Sequence, residues 1–140
     1  MWAVGGSGFQ DAEATLLHYD GSAWSQVELP PLEKANVRAL FKVWGLSDRT
    51  FAVSQDGLIV EWDGGAWPQM AAGAEANQDF VSLWGTTERG VVAVGGRSGA
   101  RVAELHGAEW TTSAPTGVPG LNAVVVHTEV VVGGQLGFVG

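Results

Sequence analysis

The chain has 140 residues, 46% hydrophobic and only 16% charged, which is enough apolar material to core one domain and is the opposite of a disordered composition. Its net charge is −8 with seven Lys and Arg in total, so it lacks the clustered positive charge that binds nucleic acid or an anionic membrane surface. It has no cysteine, hence no disulfide, thiolate metal site or cysteine nucleophile, and no apolar run approaches the roughly 20 residues of a membrane-spanning helix.

In chain order, MWAVGGSGF has neither the basic n-region nor the apolar h-region of a signal peptide, and Trp2-Ala3-Val4 reads as a strand. A long glycine-containing connection, Gly5–Thr15, leads to an apolar stretch and then to HYDGSAW, His18–Trp24. PPLEKANVRALFKVWG, Pro30–Gly45, carries helix signals: proline at the start, Leu40, Val43 and Trp44 on one face, glycine at the end. The stretches that align with it, NQDFVSLWG and GLNAVVVHT, are not helical in pattern. Propensity is the weaker guide, so a strand is expected from about Arg38, with Leu32–Asn36 as a loop or single turn. LSDR then turns the chain into TFAV (Thr50–Val53), SQDG into LIVEW (Leu58–Trp62), and DGG into AWPQM. FVSLWG, GVVAV, ARVAEL and EWTTS repeat that order, and LNAVVV, EVVVGG and GFVG begin it once more.

The phrase EWDGGAW (Glu61–Trp67) echoes HYDGSAW and ELHGAEW, with Trp24, Trp67 and Trp110 spaced 43 residues apart each time. Trp44-Gly45 and Trp84-Gly85 keep the same register, as do AVGG at Ala3–Gly6 and Ala93–Gly96, AVSQ at Ala52–Gln55 and VVGG at Val131–Gly134. A period of this length marks propellers and related arrays. Four short strands joined by tight turns form one antiparallel blade. The phrase occupies the hairpin between third and fourth strands, where Asp20-Gly21, Asp63-Gly64 and, less favourably, His106-Gly107 suit a type I′ turn. The tryptophans beside it are expected to glue one blade to the next. Ala3, Ala52 and Ala93 are expected to leave room for a large neighbour such as Trp44 or Trp84.

The fold expected is therefore all-β, part of a β-propeller: residues 1–28 form a blade without its first strand, 36–71 and 77–114 form complete blades, and 121–140 an incomplete one. Closed propellers have about 4–8 blades. This register implies a piece of a longer chain, or copies that complete each other through open sheet edges, and poor solubility for the piece alone.

The pattern Trp-Gly, Ala-Val-Gly-Gly, then aromatic-Asp-Gly-x-x-Trp resembles repeats of bacterial secreted or surface β-propeller proteins. It is similar to Ycf48-type photosystem assembly factors and to the BNR/Asp-box group, although the Asp-box has one more residue between Asp and Trp. SQDGLIVEWD also resembles the end of a WD40 repeat, without the upstream Gly-His. The resemblance implies an extracytoplasmic bacterial setting (secreted, periplasmic or cell-surface) and a partner that is protein or glycan. It implies no cofactor.

Catalytic candidates are not marked out. Sialidases of the Asp-box type use an arginine cluster, a tyrosine and carboxylates. Here Tyr19 stands in the slot of Trp62, and the five arginines occupy non-equivalent positions. His18, His106 and His127 lack metal-ligand spacing. The glycine-rich VGGSG and VGGRSG are followed by no helix, which removes a phosphate-loop reading. The long connection of the first copy departs from the others, and such insertions gather on one face. Phe9, Gln10, Asp11 and Glu13, with Asp56 and Arg97, are the ligand-binding candidates on that loop face. The function expected is non-enzymatic recognition or scaffolding. The alternative is a fragment of a propeller glycoside hydrolase or lyase whose active residues lie in other blades.

Overall fold

The structure, a computed structural model, describes residues 1–7, 13–29, 31–32, 37–67, 69–71 and 78–140, with only the backbone given for 69–71. Phe9, Gln10 and Asp11 lie outside the described residues. The described chain is all-β, in four small antiparallel sheets, and none of them is closed.

Sheet 1 contains β1 (Trp2–Gly5), β2 (Thr15–Tyr19) and β3 (Trp24–Gln26). Sheet 2 contains β4 (Leu40–Leu46), β5 (Arg49–Ser54), β6 (Leu58–Trp62) and β7 (Gln69–Ala71). Sheet 3 contains β8 (Phe80–Thr86), β9 (Gly90–Gly95), β10 (Arg101–His106) and β11 (Glu109–Ser113). Sheet 4 is the pair β12 (Leu121–Val126) and β13 (Val130–Gly134). Within each sheet every strand pairs with the next in sequence.

From Val37 on, the described part of the Pro30–Gly45 stretch overrides its helical signals: Leu40–Leu46 is a strand and Val37–Ala39 are not helical. Residues 33–36 of the expected loop or single turn at Leu32–Asn36 lie outside the described residues. Pairing with β5 and packing of β4 against β8 satisfy its backbone and its side chains together, which an isolated helix could not match. The register of β4 on β5 steps from Leu40↔Ser54 to Lys42↔Val53, leaving Phe41 as a bulge. The same step recurs between Phe80 and Ser82 and between Leu121 and Ala123. Nothing in the sequence announces these three bulges. They also show that Ser54, Gly95 and Gly134 share one slot. Val132, and not Val131, therefore stands where Ala52 and Ala93 do, one residue off the alignment of VVGG with AVGG.

Period-two alternation divides the side chains between inter-sheet layers. Leu16, Ala52, Leu58, Val60 and Trp67 are buried together between sheets 1 and 2. Phe51, Val53, Ile59, Leu83 and Ala93 form the layer between sheets 2 and 3. Val92, Val94, Leu121, Val124 and Val126 form the layer between sheets 3 and 4. Trp44 and Trp84 do not lie across the alanines of their own sheets. They stack on each other, centroids 4.2 Å apart and planes at 29°. Trp44 packs on the layer that holds Ala93, so the small residue makes room across sheets, not within one.

Candidate functional site

The turns are built differently from the type I′ expectation. Tyr19 pairs with Trp24, which leaves a four-residue loop, Asp20–Ala23. Neither aspartate has positive φ, whereas Gly21 and Gly64 do, at 112° and 97°. The aspartates instead fold the loop with their side chains. Asp20 Oδ1 accepts hydrogen bonds from the Ser22 and Ala23 amides at 2.8 and 3.0 Å and from the Ser22 hydroxyl at 2.9 Å. Asp63 Oδ1 accepts from the Gly65 and Ala66 amides at 2.9 and 2.8 Å. Those amides, from Ala23 foremost and then Ser22, hold the Asp20 carboxyl at about 2, and those from Ala66 and Gly65 lower that of Asp63. His106 stands in the slot of Asp20, since Leu105 pairs with Trp110 as Tyr19 pairs with Trp24, but its turn is built differently. The histidine pairs with Glu109 at the end of β10, and the turn is Gly107-Ala108, with Gly107 at φ 66°.

The loop end of the sheets gathers two of the candidates. Asp56 sits in the Gln55–Gly57 turn at φ 52° and is buried, and its amide donates to Asp79 Oδ1 at 3.1 Å. Arg97 Nε and Nη2 donate to the same carboxylate at 3.0 and 3.3 Å. That hydrogen bond and the charge of Asp79 raise the Arg97 pKa further. Gln135 Nε2 donates to the Arg97 carbonyl at 3.1 Å, which brings in sheet 4. Asp79 is thus the hub of this end, and sequence reading missed it because it lies 23 residues from Asp56 and 18 from Arg97. Glu13 is exposed, and Gly6–Ala14 separate β1 from β2 where Gln55–Gly57 suffice between β5 and β6. The Asp56–Asp79–Arg97 cluster locks consecutive sheets together, with half of the Arg97 side chain left to solvent.

The more open concavity lies along the rim. Val27, Glu28, Leu29 and Pro31, continuing from β3, face Trp62 and the Asp63–Trp67 hairpin across a groove of about 670 Å³. Its walls are mainly apolar, and Glu28 and Asp63 are the acidic residues that line it. Trp67 is its buried floor, 6% exposed, with an indole N–H that meets no acceptor among the described residues. Trp62 is half-buried and lies 5.2 Å from Trp67, centroid to centroid. The volume is in the range of small-ligand sites. An indole wall with flanking acceptors suits a neutral polyhydroxylated or weakly cationic ligand. Trp62 and Trp67 were legible as inter-sheet glue. The groove beside them was not, because it needs sheet 1 to lie opposite.

Tyr19 donates its hydroxyl to the Gly21 carbonyl at 2.9 Å and its ring lies 5.3 Å from Trp24, a structural placement. His18 lies against Trp2, 4.2 Å between centroids. Among the described residues no group of three or more His, Asp or Glu is arranged to hold a metal, and no helix is long and apolar enough to cross a membrane. No family model, curated protein or solved structure matches the chain.

Proposed function

We propose that the chain is a segment of a β-propeller, with sheets 2 and 3 as complete blades, and that it serves as a non-catalytic recognition module for carbohydrate or protein. Support for the architecture comes from the serial arrangement of the sheets: β4 packs against β8, and β8 against β12, so the first strands stand side by side. The observation that carries the function is the rim groove, an apolar cleft walled by Trp62 and bordered by Glu28 and Asp63. Sugar rings present apolar C–H faces to an indole and hydroxyls to carboxylates and backbone, and this cleft offers all three. The resemblance of the motifs to secreted and surface propellers extends the proposal to an extracytoplasmic bacterial setting.

A glycan array followed by titration of intrinsic tryptophan fluorescence tests the reading. Saturable binding of a neutral oligosaccharide is expected, weakened at least about tenfold in Trp62→Ala, the scale of a lost aromatic anchor. Binding unaffected by Trp62→Ala would remove the groove from the account, and turnover of chromogenic glycosides would replace recognition by catalysis.

A further inference from the structure

Of the three junctions between sheets, the two that involve a described outer hairpin, sheet 1 with 2 and sheet 2 with 3, use one contact. Trp67 meets Trp2 edge-on, with centroids 5.2 Å apart and planes at 89°. Trp110 meets Phe51 edge-on, at 6.0 Å and 78°. Trp2 and Phe51 occupy the same slot: each precedes the alanine that pairs with Leu17 or Val60. Both therefore join a tryptophan of one sheet's outer hairpin to a second-strand residue of the sheet before it.

Two half-junctions are left over, one at each end of the stack. Sheet 1 turns Ala3, Leu17, Tyr19 and Trp24 outward, in the slots that Ala52, Val60, Trp62 and Trp67 fill in sheet 2. Trp24 is 49% exposed where Trp67 is 6% exposed, because no sheet among the described residues lies over it. At the other end, sheet 4 turns Val125, Val131 and Val139 outward. These stand in the slots of Trp44, Phe51 and Ile59, given the shared register at Ser54 and Gly134 and the matching turns Gln55–Gly57 and Gln135–Gly137. Phe51 and Ile59 are fully buried in sheet 2, but Val125, Val131 and Val139 are 48–75% exposed. The residues named on both faces are apolar or aromatic, and Glu129, exposed two residues before Val131, stands at the edge of the sheet 4 face.

We propose that these two faces bind each other between copies of the chain, sheet 4 of one copy receiving sheet 1 of the next, with Trp24 set against Val131. The occupant is a second copy because each face presents the half of the interior junction that the other lacks, and the contact continues the row of inter-sheet layers already inside the molecule. Such head-to-tail interfaces close into rings or run on as open chains. Two copies contribute eight sheets, at the upper end of the range of closed propellers. With a net charge of −8 on each copy, added salt strengthens the association by screening repulsion.

Sedimentation velocity on the 140-residue chain, from micromolar concentration upward, is expected to show reversible, salt-promoted self-association. Trp24→Glu and Val131→Glu each weaken it at least about thirtyfold, the scale of an interface hot spot. Both positions are half-exposed, so both variants are expected to keep the wild-type circular dichroism spectrum. A third variant set guards against misfolding: Trp24→Tyr and Val131→Ile retain association. The decisive arm mixes the two glutamate variants. Each still carries one intact face, and those two faces are complementary, so the mixture forms a one-to-one complex that neither variant forms alone. Monomers at every concentration and salt would overturn the proposal. So would association that persists undiminished in either glutamate variant, which would indicate a like-with-like contact, or a mixture that stays monomeric.

Discussion

Trp24, Trp67 and Trp110 are equivalent in sequence, and their replacement by alanine should not be equivalent in effect. Trp67 is 6% exposed and lies 5.2 Å from both Trp2 and Trp62, so Trp67→Ala removes a full indole from a packed layer. Such truncations cost about 3–5 kcal/mol. Trp24 is 49% exposed and lies tilted against Tyr19, 5.3 Å between ring centroids. Its truncation loses about half of the apolar burial and one ring contact, on the order of 1 kcal/mol. Trp67→Phe separates packing from polarity: it keeps a ring and deletes a buried indole N–H that has no acceptor among the described residues. An unsatisfied donor of this kind opposes folding by about 1–3 kcal/mol, so Trp67→Phe is expected to be far milder than Trp67→Ala. The assay is urea unfolding followed by circular dichroism, on protein dilute enough to be monomeric. With a slope of about 2 kcal/mol/M, Trp67→Ala shifts the midpoint down by about 2 M and Trp24→Ala by about 0.5 M. Equal shifts, or a Trp67→Ala shift as small as that expected of Trp24→Ala, would refute the claim that burial under the neighbouring sheet sets the energetics.

The glycines separate in the same way. Gly90 has φ 77°, and an added Cβ there would overlap the Leu105 carbonyl, so Gly90→Ala should lower stability by more than about 2 kcal/mol, whereas Gly45→Ala, with open space around it, should stay within about 0.5 kcal/mol by the same urea assay. Arg49 grips Glu61 through two hydrogen bonds, at 2.5 and 2.9 Å, and donates to the Gly107 carbonyl at 3.0 Å, tying sheet 2 to sheet 3. Arg49→Met leaves Glu61 mostly buried without its partner and is expected to cost about 1–3 kcal/mol, with part regained in Arg49→Met/Glu61→Gln, as a double-mutant cycle reads. The Asp20 carboxyl, held at about 2 by the Ala23 and Ser22 amides, lies below its unfolded value of about 3.9. Its contribution to stability is therefore complete above about pH 4 and is lost as pH falls through about 2. Carboxyl NMR titration should give that low midpoint, and thermal melts of Asp20→Ala should lose the corresponding acid dependence.

Part of the candidate site was legible and part was not. Asp56 and Arg97 stood out as turn residues on one face, and they do converge, but on Asp79, whose place beside them depends on contacts across 23 and 18 residues. Asp20 and Asp63 were legible as turn residues, but their mechanism was misjudged. Asp-Gly alone suggests a two-residue turn, and only the pairing of Tyr19 with Trp24 reveals four residues closed by a carboxylate. The rim groove had no sequence signal beyond Trp62 and Trp67, since its opposite wall comes from Val27–Pro31 of another sheet.

The sequence by itself determined what is local: alternating apolar residues that make short strands, glycines and aspartates that turn them, and a 43-residue spacing that sets the tryptophans in matching hairpins. Those choices are made by backbone sterics and by hydrogen bonds within a few residues. Tertiary structure decided which face of each strand is dry, that Trp44 stacks on Trp84, and that Trp67 is buried while Trp24 is half in water. Burial is a property of what lies overhead, and among the described residues the sheet that covers Trp67 has no counterpart over Trp24.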